Sequence, residues 1–469
     1  MTEPLWTSDE ILAATGGTLV CTPFEAAGVS IDTRSIEPGD LFVALAGARD
    51  GHEFVGAARA HGAACALVSH PVTGCQIVVP DTLKALEALG VAARERASAA
   101  RRGAVTGSVG KTSVTQALSA ALALAGPSHA SVKSYNNHIG VPLTLARMPR
   151  ETRRAVFEIG MNHADEIAPL SRLVSPHAVA ITTVGPVHME NFADGEEGVA
   201  RAKAEIFAGL QPGGVAVLNA GNRWFDLLQS EAKAAGARVL RFGAGEDCEA
   251  RLTGFEMAAG GAMVSARLHG RPLRFPIRQS GAHWGPNSLA VLLMLEALEV
   301  DLDTGLAALA EFAPLGGRGA EHHLAVRGEA ADLIDESYNA NPVSMAAAIA
   351  SLGAHPAIGR RIAVLTDMLE LGPDSPRFHA ELAGELANAK ADLVFCAGPL
   401  MRSLWDVLPP ERRGAYAETA HELAGEVAAA IGPGDVIMVK GSNGSKAGEI
   451  VATLRAVFQD ERADEGAAH

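Results

Sequence analysis

Aromatic residues are scarce in this chain, at 4% of 469 residues with four tryptophans and three tyrosines. The cores must therefore be built from Ala, Val, Leu and Ile, and 50 glycines allow many tight turns. Cysteine is scarce too. The five (Cys21, Cys65, Cys75, Cys248, Cys396) are odd in number, scattered and never in Cys-x-x-Cys spacing, which excludes a zinc ribbon and predicts reduced thiols without a disulfide framework. Basic residues are outnumbered, 39 against 54 acidic ones, for a net charge of −15. Nucleic-acid phosphates and anionic membranes would repel such a chain, so any anionic ligand needs a local site. No apolar run reaches the roughly 20 residues of a bilayer span. The segment Met1-Thr-Glu-Pro-Leu-Trp-Thr-Ser-Asp-Glu10 lacks the basic and apolar regions of a signal peptide. A cytoplasmic protein with no nucleic-acid partner and no membrane insertion is expected.

What is present is a globular composition, 48% apolar and 20% charged. Its length suits about three domains. Residues 1–82 hold short apolar runs around 40–45 and 64–68, with a helical stretch at 53–60 between them: a small α/β unit. Residues 83–313 open on the helical spacing of 82–100 and then alternate strands (155–159, 178–183, 214–218) with helices (113–124, 288–298). Polar–apolar alternation over 250–277, around Gly260-Gly261 and Gly270, predicts antiparallel hairpins. Residues 314–469 carry strand signals at 331–335, 361–366, 392–396 and 435–439 separated by helical stretches, the pattern of a mostly parallel, doubly wound sheet. Residues 460–469 have the composition of a disordered tail.

The strongest local signal is Val105-Thr-Gly-Ser-Val-Gly-Lys-Thr-Ser113. Glycines let backbone N–H groups close around phosphate oxygens, and a helix N-terminus adds a favourable dipole. Thr106, Gly107, Ser108, Val109, Gly110, Lys111, Thr112 and Ser113 are thus candidate nucleotide contacts. Lys111 would neutralise the β/γ-phosphates and the Thr112 hydroxyl would ligate Mg²⁺. Valine at 105, where the full phosphate-loop pattern has glycine, leaves the shorter Gly-x-x-Gly-Lys-Thr form.

That shorter form, preceded by Thr, resembles the loop of the Mur ligases and of the related folylpolyglutamate synthetases. Further motifs follow the Mur ligases in order. They are Asp32-Thr-Arg-Ser, Pro38-Gly-Asp-Leu-Phe-Val-Ala-Leu45, Asp50-Gly-His-Glu-Phe54, Asn136-Asn-His-Ile-Gly-Val-Pro-Leu143, Glu158-Ile-Gly-Met-Asn-His163, Gly185-Pro-Val-His-Met-Glu-Asn-Phe192, Ala202-Lys-Ala-Glu-Ile-Phe207, Gly281-Ala-His-Trp-Gly-Pro-Asn-Ser-Leu-Ala290, Asp335-Glu-Ser-Tyr-Asn-Ala-Asn-Pro342, Asp367-Met-Leu-Glu-Leu-Gly372 and Val439-Lys-Gly-Ser442. The resemblance spans residues 28–455. It implies three α/β domains: an N-terminal unit for a UDP-muramyl peptide, a central ATPase-like domain with a mostly parallel sheet, and a C-terminal Rossmann-like domain. Departures include Trp284 where many relatives have asparagine, and also Gly221, Glu336, Thr366 and Asn443.

The resemblance also implies an activity. The double asparagine and the Tyr-Asn-Ala-Asn-Pro run are similar to the branch joining D-alanyl-D-alanine to UDP-N-acetylmuramoyl-tripeptide, with ATP and two Mg²⁺ ions, as a monomer. Another Mur ligase or a folylpolyglutamate synthetase-like ligase is the alternative, and the latter lacks the N-terminal Asp-Thr-Arg unit. Lys111, His188, Lys203 and Arg318 are then the expected catalytic set. Thr112, Glu158, His188 and Lys203 would hold metal, with Lys203 carbamylated by CO₂. Asn287, Arg318 and Asp335 would join the loop around the nucleotide. Thr33, Arg34, Ser35, Asn136, Asn137, Tyr338, Asn339 and Asn341 would contact the substrates. Read without the resemblance, His188 would be a structural histidine, Lys203 an exposed helix lysine and Arg318 a linker residue. A zinc site from Glu158, His163 and His188 is the competing metal reading, and the phosphate loop favours Mg²⁺.

Overall fold

The computed structural model describes residues 3–458 except Ala48, Lys133 and Ala259. Three sheets of five, nine and six strands follow one another along the chain. The tail expected at 460–469 lies outside the described residues. No described helix is long and apolar enough to cross a membrane.

The five-stranded sheet runs Thr18–Leu19, Gln76–Val78, Cys65–Val68, Asp40–Val43, Gly28–Ser30, and only its first pair is antiparallel. Helix Thr82–Arg96 is capped by Asp81, which accepts from the N–H groups of Leu83 and Lys84. Its buried Leu86, Leu89 and Ala93 pack with Trp6, Leu41 and Leu67 of this unit, and also with Leu143 and Ala146 of the next. The thiol expectation fails at one pair. Cys21 and Cys75 are joined by a disulfide across a Cα separation of 5.0 Å. They are 54 residues apart, but each flanks one of two paired strands, so linear spacing gave no sign of the contact. Cys65, Cys248 and Cys396 are free and buried.

In the nine-stranded sheet, strand Arg101–Thr106 lies between Ala178–Ile181 and Arg154–Glu158, all parallel. Side chains alternate strictly between its two faces. Val105, Val156, Ala180 and Val217 pack under helices Lys111–Leu124 and Trp284–Ala297. Ala104, Phe157, Val179 and Leu218 fill the opposite core with Ile167, Val199 and Phe207. Val105 is fully buried within the strand. Valine there therefore extends the sheet by the residue that a glycine would have given to the loop. The antiparallel hairpins expected over 250–277 are Ala250–Ala258, Gly261–Leu268 and Arg271–Ile277. The helix expected from 288 begins at Trp284, because Pro286 sits in its first turn, where no N–H is needed. Trp284 itself is buried against Phe312, ring centroids 5.7 Å apart.

The six-stranded sheet places parallel strands Glu329–Glu336, Val436–Lys440, Arg361–Thr366, Leu393–Ala397 and Arg413–Ala417 side by side, covered on both faces. An antiparallel edge strand, Ala320–Val326, joins them. Its polar Glu321, His322 and His323 carry no strand signal of their own.

Candidate active site

The loop between strand Arg101–Thr106 and helix Lys111–Leu124 is locked by its neighbours. Gly107 has φ +148°, and a Cβ there would lie 1.9 Å from the Thr182 hydroxyl. Gly110 opens the helix at φ +84° with no side-chain cap, so the first-turn N–H groups face an anion site. The Ser108 hydroxyl donates to the Gly185 carbonyl at 3.1 Å and accepts from the Gly185 N–H at 2.9 Å. Thr106 is buried beneath the loop. Asn287 lies under Gly110, where a Cβ would be 3.3 Å from its Nδ2.

Above the loop opens a cleft of about 420 Å³. One wall holds Lys111, Thr112, Ser113, Asn136, Glu158 and His188; the other holds Arg318, Glu336, Tyr338, Asn339, Asn341 and Lys440. Most of these residues stand at or just beyond the carboxyl ends of parallel strands, where doubly wound sheets bind ligands. The walls touch. The Tyr338 hydroxyl meets the Ser134 hydroxyl at 2.6 Å, and His188 Nδ1 lies 2.5 Å from a Glu370 carboxylate oxygen, off the line of a hydrogen bond.

Lys111 Nζ donates to the Gly107 carbonyl at 2.7 Å. Burial lowers its pKa, Glu158 opposes that shift and the Arg318 guanidinium adds to it. Glu158 is 1% exposed; its Oε1 accepts from Asn136 Nδ2 at 2.6 Å, while its buried Oε2 has no hydrogen-bond partner. An orphaned carboxylate oxygen in the cleft that Thr112 also lines fits a hard cation. Lys203 is 2% exposed, so it is not an exposed helix lysine. No hydrogen-bond or ion-pair partner for its ammonium falls among the described residues. Burial, and secondarily Lys111, hold its pKa well below the ordinary lysine value. His188, in the left-handed conformation at φ 52°, is lowered first by burial, against Glu370, and further by Lys203 and Lys111. Lys203, His188 and Lys111 therefore share one electrostatic neighbourhood.

Other sequence candidates are placed differently. His163 is exposed and faces Glu166 at 3.1 Å, and it forms no metal-sized cluster with His188 and Glu158 among the described residues. Asp335 accepts from the Gly317 N–H at 2.8 Å and from the Ser337 hydroxyl at 2.6 Å. Its carboxylate thus organises the loop that carries Arg318, whose guanidinium stacks 4.1 Å over the Tyr338 ring. Asn137 accepts from the Ile139 and Gly140 N–H groups, and Asn341 caps helix Pro342–Ala354. Thr33, Arg34 and Ser35 lie outside the cleft wall, on a loop where Arg34 pairs with Asp32. Sequence reasoning quoted Lys440 and His283 within motifs but assigned neither to the site. Lys440 is buried, with Nζ 3.0 Å from the Asn339 carbonyl and 3.4 Å from Glu336 Oε2. Residues 336 and 440 are register partners on parallel strands. The available signal was the place of Lys440 at the end of a predicted strand.

The same architecture recurs in known proteins. The Mur ligase middle domain matches residues 105–295, the Mur ligase glutamate ligase domain residues 324–443, and the Mur ligase family catalytic domain residues 25–125. The UDP-N-acetylmuramoyl-tripeptide–D-alanyl-D-alanine ligase of Rickettsia prowazekii is 31% identical over 428 residues, covering 90% of this chain and 94% of that one. Its Escherichia coli counterpart is 36% identical over 374 residues, 79% of this chain and 81% of that one. A crystal structure of MurF from Acinetobacter baumannii matches with a TM-score of 0.85 at 29% identity, covering 97% of this chain and 99% of that one. The chain belongs to the Mur ligase family.

Proposed function

We propose that this chain is the ATP-dependent ligase that joins D-alanyl-D-alanine to UDP-N-acetylmuramoyl-tripeptide in the cytoplasm, acting as a monomer. The observation that carries the reading is the convergence of a phosphate loop, Lys111 and an orphaned Glu158 oxygen on one cleft walled by two sheets, with the buried Lys203 in the same electrostatic neighbourhood. Residues 1–82 would hold the muramyl peptide, with Thr33, Arg34 and Ser35 at the nucleotide-sugar end. Residues 83–313 would hold ATP, and residues 314–469 the dipeptide.

Forming an amide from a carboxylate requires activation. The terminal carboxylate of the tripeptide attacks the γ-phosphorus of ATP, giving an acyl phosphate and ADP. The dipeptide amine then attacks the acyl carbon, and phosphate leaves. Transfer of this kind rests on positioning and charge neutralisation. The helix N-terminus and Lys111 would cradle the phosphates. Arg318, aimed by Asp335 and Tyr338, would reach the transferred group from the opposite wall. Asn136 would hold Glu158 in place, while Asn137, Asn339 and Asn341 shape the substrate loops. Mg²⁺ would be held by Thr112, Glu158, His188 and Lys203, and would supply neutralisation of phosphate charge. Burial disfavours the charged form of Lys203, and the neutral amine is the form that adds CO₂. Carbamylation of Lys203 would turn a misplaced cation into a metal-binding anion. Contact between the walls would exclude water from the acyl phosphate.

The test is phosphate release from ATP. It should be slow with nucleotide alone and fast only with UDP-muramyl tripeptide plus D-alanyl-D-alanine, because the reacting groups meet only when all three are bound. A single D-alanine should substitute poorly. Folate plus glutamate driving release, or equal turnover without any peptide, would overturn the assignment.

A further inference from the structure

Outside the cleft, the three sulfur atoms of Cys21, Cys65 and Cys75 all lie within 4.8 Å of one another. Three strands of the N-terminal sheet bring them together. The Val20 N–H donates to the Gln76 carbonyl at 2.8 Å, and the Ala66 N–H to the Cys75 carbonyl at 3.2 Å, so the backbone pins each cysteine beside the others. Cys65 is fully buried, Cys75 half-buried and Cys21 exposed. The weak contact of Cys65 Sγ with the Ala66 carbonyl, at 3.7 Å, is local and does not hold the thiol away from the cluster.

We propose that, once the Cys21–Cys75 bond is reduced, Cys21, Cys65 and Cys75 form a three-thiolate site for a soft divalent cation of the zinc class. Reduction by a small thiol cleaves the sulfur–sulfur bond, giving two protein thiols and the disulfide of the reductant. Metal binding then releases three thiol protons to solvent. Zinc–sulfur bonds of about 2.3 Å in a tetrahedron place sulfurs roughly 3.8 Å apart, within reach of small side-chain rotations from the observed cluster. The exposed Cys21 edge leaves the fourth position to water. The disulfide and the metal exclude each other, so the N-terminal sheet carries one of two alternative staples. None of the three residues lines the cleft.

The experiment uses the full chain, reduced, desalted without oxygen, and titrated with Co²⁺ and then Zn²⁺. One Co²⁺ per chain should bind with a sulfur-to-metal charge-transfer band that Zn²⁺ abolishes. Cys65→Ser and Cys21→Ser should each weaken Zn²⁺ binding at least about tenfold, whereas Cys248→Ser should not. Cys21 is exposed, so its serine variant reads the ligand role without a folding defect. A reduced chain without the band, or a band unchanged in Cys21→Ser, overturns the site.

Discussion

The two walls of the cleft each bury a lysine, and they treat it in opposite ways. On the C-terminal wall Lys440 is satisfied from within, by Glu336 and the Asn339 carbonyl. On the central wall Lys111 reaches only a carbonyl of its own loop and Glu158 leaves one oxygen unpaired; Lys203, which does not line the cleft, has no partner among the described residues. Burial lowers the pKa of all three lysines, but only for Lys440 does a paired carboxylate oppose it directly. A self-satisfied charge holds structure in place; unsatisfied charges wait for a ligand. The central wall, with Arg318 reaching in from the other, is therefore where chemistry is expected, and Lys440 is expected to hold the C-terminal wall in place.

The sharpest way to break this contrast is Lys111→Ala. Loss of one preorganised cation at developing phosphate charge should cost about 100- to 1000-fold in turnover with the fold intact by circular dichroism. More than a tenth of the original rate would remove Lys111 from the site. Lys203→Ala should lose on the order of 100-fold, and a small carboxylic acid in the assay should restore part of it by supplying the missing oxygens. No rescue by any such acid would count against carbamylation.

On the other wall, Lys440→Met should act mainly on stability. It leaves the largely buried Glu336 without its partner, at a cost of about 3 kcal/mol. Denaturant melts should show Glu336→Gln in the same chain recovering most of the loss. If Lys440→Met instead matched Lys111→Ala in turnover with unchanged stability, the division between walls would collapse. The smallest effect lies away from both. His177 accepts from the Arg102 N–H at 3.1 Å, and burial, then Arg102, lower its pKa to about 4 from an ordinary 6.5. The unfolded chain takes up a proton below pH 6.5 that the folded chain refuses until about pH 4. Stability should therefore be unaffected above that window and fall with falling pH within it. Unfolding free energies measured from pH 7 to 4 should lose this slope in His177→Asn.

Much of the fold was legible from pattern. Short apolar runs marked the central strands, which are buried on both faces, hairpins followed their glycines, and the phosphate loop announced itself through glycines that only unusual backbone angles require. The edge strand Ala320–Val326 was not legible, because it pairs on one side only and tolerates Glu321, His322 and His323. Site residues divided in the same way. Lys111, Thr112, Glu158, Asn136, Tyr338 and Arg318 share the cleft as expected. Asp335 instead serves the Arg318 loop, and Thr33, Arg34 and Ser35 stand off the wall.

By itself the sequence determined the local matters: which runs form strands, where a glycine-rich loop opens a helix, and which motifs stand in order. Those depend on contacts between near neighbours in the chain, so composition and spacing record them. Only the tertiary structure decided that Cys21 meets Cys75, that Lys440 pairs with Glu336, and that Lys203 is buried where a lone helix lysine would be exposed. Each rests on register between strands or packing between elements far apart in sequence. Partner identity and burial are properties of that assembled arrangement.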